Sequence, residues 1–158
     1  MSDRSELLLD CGSVSLIHLQ VPGSLKFRDL AIRVVAAACK LVTAGTAELR
    51  AEFDDQVISA FGEAFNNAAI HSYKGRPLGT VDIDIEVDAS SITLRISDHG
   101  QSFDLAQIRD PDLDSLPESG LGLFIIRSFM DSVLYQAGAP NVLSMTKQLQ
   151  AVAAGASQ

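Results

Sequence analysis

The sequence predicts an α+β fold: a two-layer sandwich with a mostly antiparallel sheet and its helices on one face. Three observations carry this. Val81, Ile83, Ile85 and Val87 alternate strictly with Asp82, Asp84 and Glu86, the two-residue period of a strand with one buried face. Ile92, Leu94 and Ile96 repeat that period just after a short turn at Ala89-Ser90-Ser91, so the two strands form an antiparallel hairpin. Upstream, two stretches carry apolar residues at helical spacing instead. Helices and strands that segregate along the chain in this way pack as one layer on another.

Taken in order, Val14, Leu16, Leu19 and Val21 form a loosely alternating strand that ends at Pro22-Gly23. Ser24 is placed as a helix N-cap, and Leu30, Ala31, Val34, Val35, Ala38 and Leu41 mark a helix from Phe27 to Val42, ended by Gly45. A second helix starts between Glu48 and Asp54 and runs to about Ser72, with Val57, Phe61, Ala64, Phe65 and Ala68 as its apolar face. The 75–79 segment, with Pro77 inside, is a loop before the hairpin. Residues 101–119 have no clear period and many carboxylates, and long loops in compact domains usually carry function. Leu121 to Met130 is a helix entered from a glycine loop, and 132–136 and 142–149 complete the sheet. The length suits one domain, 1–150, with 151–158 as a frayed tail.

A net charge of −8 without any Lys/Arg cluster excludes a generic nucleic-acid binder. A polyanionic ligand then needs a local device, either a metal ion or a helix N-terminus. Cys11 and Cys39 form no CxxC pair and no Cys/His cluster, so they are expected as reduced thiols rather than zinc ligands or a disulfide. The first residues lack the order of a secretory signal, and no apolar run reaches the roughly eighteen residues of a membrane span. The expected location is cytoplasmic.

Three clusters carry chemistry. Glu63, Asn67 and His71 are spaced four apart, so they share one helix stripe. Asn is unfavourable inside a helix because its side chain competes for backbone hydrogen bonds, yet Asn66 and Asn67 are consecutive here. An amide oxygen beside a carboxylate suits Mg²⁺, which takes its other ligands from water and phosphate. The carboxylate one turn away suits proton abstraction from a hydroxyl. The same stripe also fits the solvated face of an ordinary amphipathic helix. In Asp98-His99-Gly100, Asp98 ends a strand and can accept a bond from an exocyclic amine such as that of adenine. Gly100 permits close backbone approach to a ligand, although Asp-x-Gly also serves as a plain turn. In Ser119-Gly120-Leu121-Gly122-Leu123, glycines lead into a helix N-terminus, an anion site made of backbone N–H groups, or simply a flexible helix entry. It is not a Walker A loop, because no Lys-Ser/Thr follows the glycines. The three occur in one order along the chain, and together they supply what an acidic protein needs to hold a nucleotide.

This set closely resembles the N, G1 and G2 boxes of the GHKL, or Bergerat-fold, ATPases, a group that includes histidine kinases and gyrase-type ATPases. Within it, Glu63-x-x-x-Asn67-Ala68-x-x-His71, Asp98-x-Gly100-x-x-Phe103-Asp104 and Gly120-Leu121-Gly122-Leu123-x-Ile125-Ile126, with Met130-Asp131 beyond, are similar to the stand-alone anti-sigma-factor serine/threonine kinases. The resemblance covers residues 14 to 149. It implies that Glu63 is the catalytic base, that Asn67 binds Mg²⁺ and nucleotide, and that His71 lies along the nucleotide. It implies Asp98 and Gly100 at the adenine, Ser119, Gly120, Leu121, Gly122 and Leu123 around the phosphates, residues 101–119 as an ATP lid, and Thr146 closing the adenine pocket. Arg109 is the one basic lid residue and the candidate phosphate contact. Glu118 and Pro140-Asn141 stand where relatives carry Arg or Glu and Gly-Thr, and His99 is uncommon in its turn.

The implied function is an Mg-ATP-dependent kinase that phosphorylates a STAS-type anti-sigma-factor antagonist and sequesters a sigma factor. The resemblance adds a homodimer formed through the N-terminal strand region, with no direct nucleic-acid or membrane partner. The rival expectation is an ATP-binding interaction module without turnover. A detached histidine-kinase domain is disfavoured, because no long dimerisation helix carries a phosphoacceptor histidine.

Overall fold

The computed structural model describes residues 13–103 and 120–149. Strand β1 (Ser15–Pro22) leads through a short 3₁₀ turn into helices α1 (Arg28–Cys39) and α2 (Ala47–Asn66), and α2 continues as a π-helical turn, Asn67–Ser72. Strands β2 (Thr80–Val87) and β3 (Ser91–Asp98), helix α3 (Leu121–Phe129), and strands β4 (Ser132–Gln136) and β5 (Asn141–Gln148) complete the described chain. The strands form one sheet in the order β1-β2-β3-β5-β4, and every neighbouring pair is antiparallel. The α+β sandwich expected from the pattern is therefore present.

The burial of β2 and β3 alternates residue by residue as their sequences do. Val81, Ile83, Ile85, Ile92, Leu94 and Ile96 line the helix-covered face and meet Phe53, Val57, Phe61 and Phe65 of α2 in one core. Full burial of each such side chain stabilises by about 2 kcal/mol. The opposite face carries the polar partners of the pattern. There His18 Nδ1 lies 2.7 Å from Asp84, and Arg95 pairs with Glu86 at 3.1 Å.

Helix ends differ from the sequence expectation for local reasons. Helix α1 stops at Cys39 rather than running to Val42, because Leu41 and Val42 donate to Ala38 and Cys39 carbonyls in a tightened last turn. Gly45, with φ 77°, lies in the connection beyond that turn. Helix α2 begins at Ala47, where the Thr46 hydroxyl accepts from Leu49 N at 3.3 Å. The last turn before Ser72 is π-helical instead of α-helical, a feature often found at functional sites.

The hydrogen bond to Asp84, reinforced by the charges of Asp84 and Asp82, raises the His18 pKa above its ordinary value. A histidine raised in the folded state stabilises fully below its unfolded pKa of about 6.5 and loses that contribution as pH rises through the folded value. Folding stability is therefore expected to decline above about pH 6.5. Urea melts from pH 5.5 to 8.5 on wild type and His18→Ala check this, with the decline in that window absent from the variant.

Candidate functional site: a cleft between the π turn and the α3 entry

Asn67 and His71 line a cleft whose far wall is Leu123 at the start of α3, and Glu63 lies beside it, against Gly122. A Cβ built on Gly122 would lie 2.9 Å from Glu63 Oε2 and 3.7 Å from Asn67 Oδ1. The glycine therefore lets the first turn of α3 approach the α2 carboxylate and amide without a side chain between them. Asn67, His71, Lys74, Gln101, Ser102, Phe103 and Leu123 line a cavity of about 390 Å³, a size suited to a small ligand. The residues of the first cluster and the glycine loop are thus brought together in space.

The π turn changes how they meet. Asn67 N–H is still shared between Glu63 O and Ala64 O, the bonds of an α-helix end, and the π turn begins from there. The wider π turn rotates less per residue than an α-helix, so His71 is turned about the helix axis relative to Asn67 from where α-helical spacing would put it. His71 is exposed and still lines the cavity. The same turn brings Ser72 onto the Asp-x-Gly turn. Gln101 N donates to Ser72 O at 2.7 Å, and a Cβ on Gly100 would lie 2.1 Å from that carbonyl oxygen. The close approach that needs Gly100 is thus made by the chain's own backbone.

Asp98 is buried at the end of β3, 7 % exposed, and faces the helix side of the sheet. Its Oδ1 accepts from Gly100 N at 2.9 Å and from Asn141 Nδ2 at 3.0 Å. Among the described residues both bonds enter Oδ1, which leaves Oδ2 to accept from another donor. Phe103 stacks on Tyr135 with centroids 4.0 Å apart and an interplanar angle of 20°, and Phe103 N donates to the Tyr135 hydroxyl at 3.2 Å. This aromatic pair holds the chain leaving the Asp-x-Gly turn.

Helix α3 opens at Gly120 with no side-chain cap and no acidic residue in its first turn. Its first N–H groups, at Leu121, Gly122 and Leu123, lack intrahelical partners and, together with the helix dipole, favour an anion. Leu123 is buried, and its side chain adds an apolar contact at the cavity wall.

Thr146 is not brought to this cleft. It pairs with Thr93 across β3 and β5, hydroxyl to hydroxyl at 3.0 Å, on the sheet face away from the helices. It lies five positions beyond Asn141 along β5, and in a strand an odd offset turns a side chain to the other face. Asn141, opposite Asp98, is the β5 side chain on the helix-covered face that bonds Asp98. Lys74 is the other residue the sequence reading missed; it follows the π turn and lines the cavity, and no local pattern distinguishes it from an ordinary surface lysine. Ser119, Arg109, Glu118 and most of the 101–119 segment lie outside the described residues.

The donor set fits Mg²⁺ in the way that ion is usually held, with few protein oxygens and the remainder from phosphate and water. Among the described residues no cluster of three or more His, Cys, Asp or Glu is present; the Asn67 amide oxygen is the protein donor the geometry offers. A second cavity of about 430 Å³, lined by Cys39, Lys40, Arg50 and Asp54, contains none of the predicted site residues. Burial pushes the Cys39 thiol up to about 12, so it is a protonated packing group rather than a nucleophile.

Comparison with known proteins agrees with this geometry. Residues 28–147 match the histidine kinase-like ATPase domain family. The Serine-protein kinase RsbW of Staphylococcus aureus strain JH9 is 33 % identical over 143 residues, covering 85 % of this chain and 87 % of that protein. The same protein of strains Newman and JH1 matches at 33 % identity with the same coverage. On the family match, the identity to the RsbW kinases and the cleft described above, the chain belongs to the histidine kinase-like (GHKL) ATPases, within the family of the RsbW serine-protein kinases.

Proposed function

We propose that this protein is an Mg-ATP-dependent serine/threonine kinase that phosphorylates a STAS-type anti-sigma-factor antagonist and binds a sigma factor. The observation that carries the reading is the meeting of Glu63 and Asn67 with Gly122 across one cleft, which puts a carboxylate and an amide oxygen beside an uncapped helix N-terminus. In this reading the N–H groups of residues 120–123, with Ser119, hold the phosphates. Asn67 ligates Mg²⁺, which when bound neutralises phosphate charge during transfer. Asp98 Oδ2 accepts from the adenine amine, Gly100 keeps that turn seated, His71 lies along the nucleotide, and Lys74 adds a positive charge at the cavity wall.

Glu63 then takes the proton from the substrate serine hydroxyl as its oxygen bonds to the γ-phosphorus and the bond to the β-phosphate oxygen breaks, releasing ADP. Support for a homodimer comes from β1, which among the described residues is an edge strand paired only with β2, with Leu16 exposed within it and Val14 exposed just before it. The rival reading, a nucleotide-sensing interaction module without turnover, rests on Pro140-Asn141 standing where relatives carry Gly-Thr. It predicts that Glu63→Ala regulates the partner as wild type does.

The test is incubation with γ-labelled ATP, Mg²⁺ and a STAS-domain protein encoded beside this one. Label on a serine or threonine of that protein is expected. ATP binding without transfer to any such antagonist would leave the kinase reading without support and favour the module.

A further inference from the structure

Asn141 is 1 % exposed, among the most buried polar side chains described, and all four of its side-chain hydrogen-bonding positions are used. Nδ2 donates to Asp98 Oδ1 and to Gly100 O, both at 3.0 Å. Oδ1 accepts from Gly138 N at 3.0 Å and from the Ser102 hydroxyl. The amide orientation is fixed by these neighbours: Asp98 Oδ1 and Gly100 O can only accept and Gly138 N–H can only donate. A flipped amide would therefore meet a wrong partner at three of its four contacts, the Ser102 hydroxyl alone being able to adapt.

One side chain therefore ties together the β3 end, the Asp-x-Gly turn, the segment entering Phe103, and the β4–β5 hairpin. Two donors converge on Asp98 Oδ1, one from the backbone at Gly100 and one from Asn141. Together they fix the rotation of the carboxylate about its last torsion, which is otherwise broad. With that torsion held, Oδ2 has a set direction. A preorganised acceptor bonds a ligand donor without first losing its own rotational freedom.

We infer that Asn141 is the positioning residue for base recognition: it aims Asp98 Oδ2 at the 6-amino group of a purine, so that an adenine nucleotide is selected over one lacking that amine. This rests on the nucleotide reading of the cleft. Asn141 need not touch the nucleotide, because its four bonds are all to the protein. The serial arrangement of Asn141, Asp98 and amine gives a specific signature. Loss of Asn141 lowers affinity for nucleotides that carry the amine and leaves those without it nearly unchanged.

The experiment titrates ATP and purine riboside 5′-triphosphate, which lacks the 6-amino group, into wild type, Asn141→Leu and Asn141→Thr, each with Mg²⁺. Leu keeps the approximate volume and removes every polar atom; Thr retains a single hydroxyl and serves if Leu prevents folding, which a thermal melt of each variant shows. A charged hydrogen bond to the amine gives wild type a preference for ATP of about 10- to 100-fold. In the variants that preference is expected to fall to about threefold or less, with the affinity for purine riboside triphosphate within about twofold of wild type. A wild-type preference ratio retained in the folded variants overturns the assignment, including the case in which both nucleotides weaken equally and Asn141 is only a brace. No binding of either nucleotide to wild type overturns the nucleotide reading itself, and this assignment with it.

Discussion

Glu63→Gln is expected to lower phosphate transfer by about 10²- to 10⁴-fold, the usual contribution of a positioned general base, while ATP affinity stays within about threefold of wild type. Gln keeps the volume and hydrogen-bonding reach of Glu but cannot take up the serine proton. Glu63 is half-buried at the cleft, with Oε2 directed towards Gly122, and among the described residues it is assigned no hydrogen bond or ion pair that would mark it as a structural anchor. Single-turnover transfer with ATP bound separates the two roles. A variant with full transfer would remove Glu63 from the chemistry; a variant that no longer binds ATP would make it a binding residue instead.

The largest stability effect is expected at Gly100. Its missing Cβ would stand 2.1 Å from Ser72 O and 2.3 Å from Ser72 C, a clash with backbone that no rotamer change relieves. Gly100→Ala must therefore separate the π turn from the Asp-x-Gly turn. That breaks the Gln101 to Ser72 bond and disturbs the Asn141 bond to Gly100 O. A cost of roughly 3 kcal/mol follows from overpacking of this kind, or a melting temperature lower by about 6–12 °C for a domain of this size. Gly120→Ala is the control: a Cβ there meets nothing within 4 Å and φ is negative, so its stability change should stay within about 1 kcal/mol. Equal melting curves for Gly100→Ala and wild type would mean that the two turns are not packed as described.

The sheet was legible because its strands are half-buried. Asp82, Asp84 and Glu86 between apolar neighbours leave only one way to face the core, and the hairpin register follows. The cleft was legible in its parts, since Glu63, Asn67 and Gly122 belong to motifs whose order survives folding. Two features were not legible. The π turn at Asn67–Ser72 depends on where Ser72 docks against Gly100, a tertiary contact that local spacing does not encode. That Asn141 and not Thr146 stands beside Asp98 turns on strand register: which β5 residue lies opposite Asp98 and which face it shows are settled by pairing with β3. Gly100 combines both lessons, since its glycine was readable but the partner that requires it was not.

The central claim is that the cleft binds Mg-ATP through Asn67. Calorimetric titration of ATP, with Mg²⁺ and with chelator, into wild type and Asn67→Ala tests it most directly. The account predicts Mg-dependent binding to wild type, weakened by about tenfold or more in Asn67→Ala with Mg²⁺ present and nearly unchanged with chelator. Absence of binding to wild type, or an Asn67→Ala protein whose affinity responds to Mg²⁺ as wild type does, would contradict it.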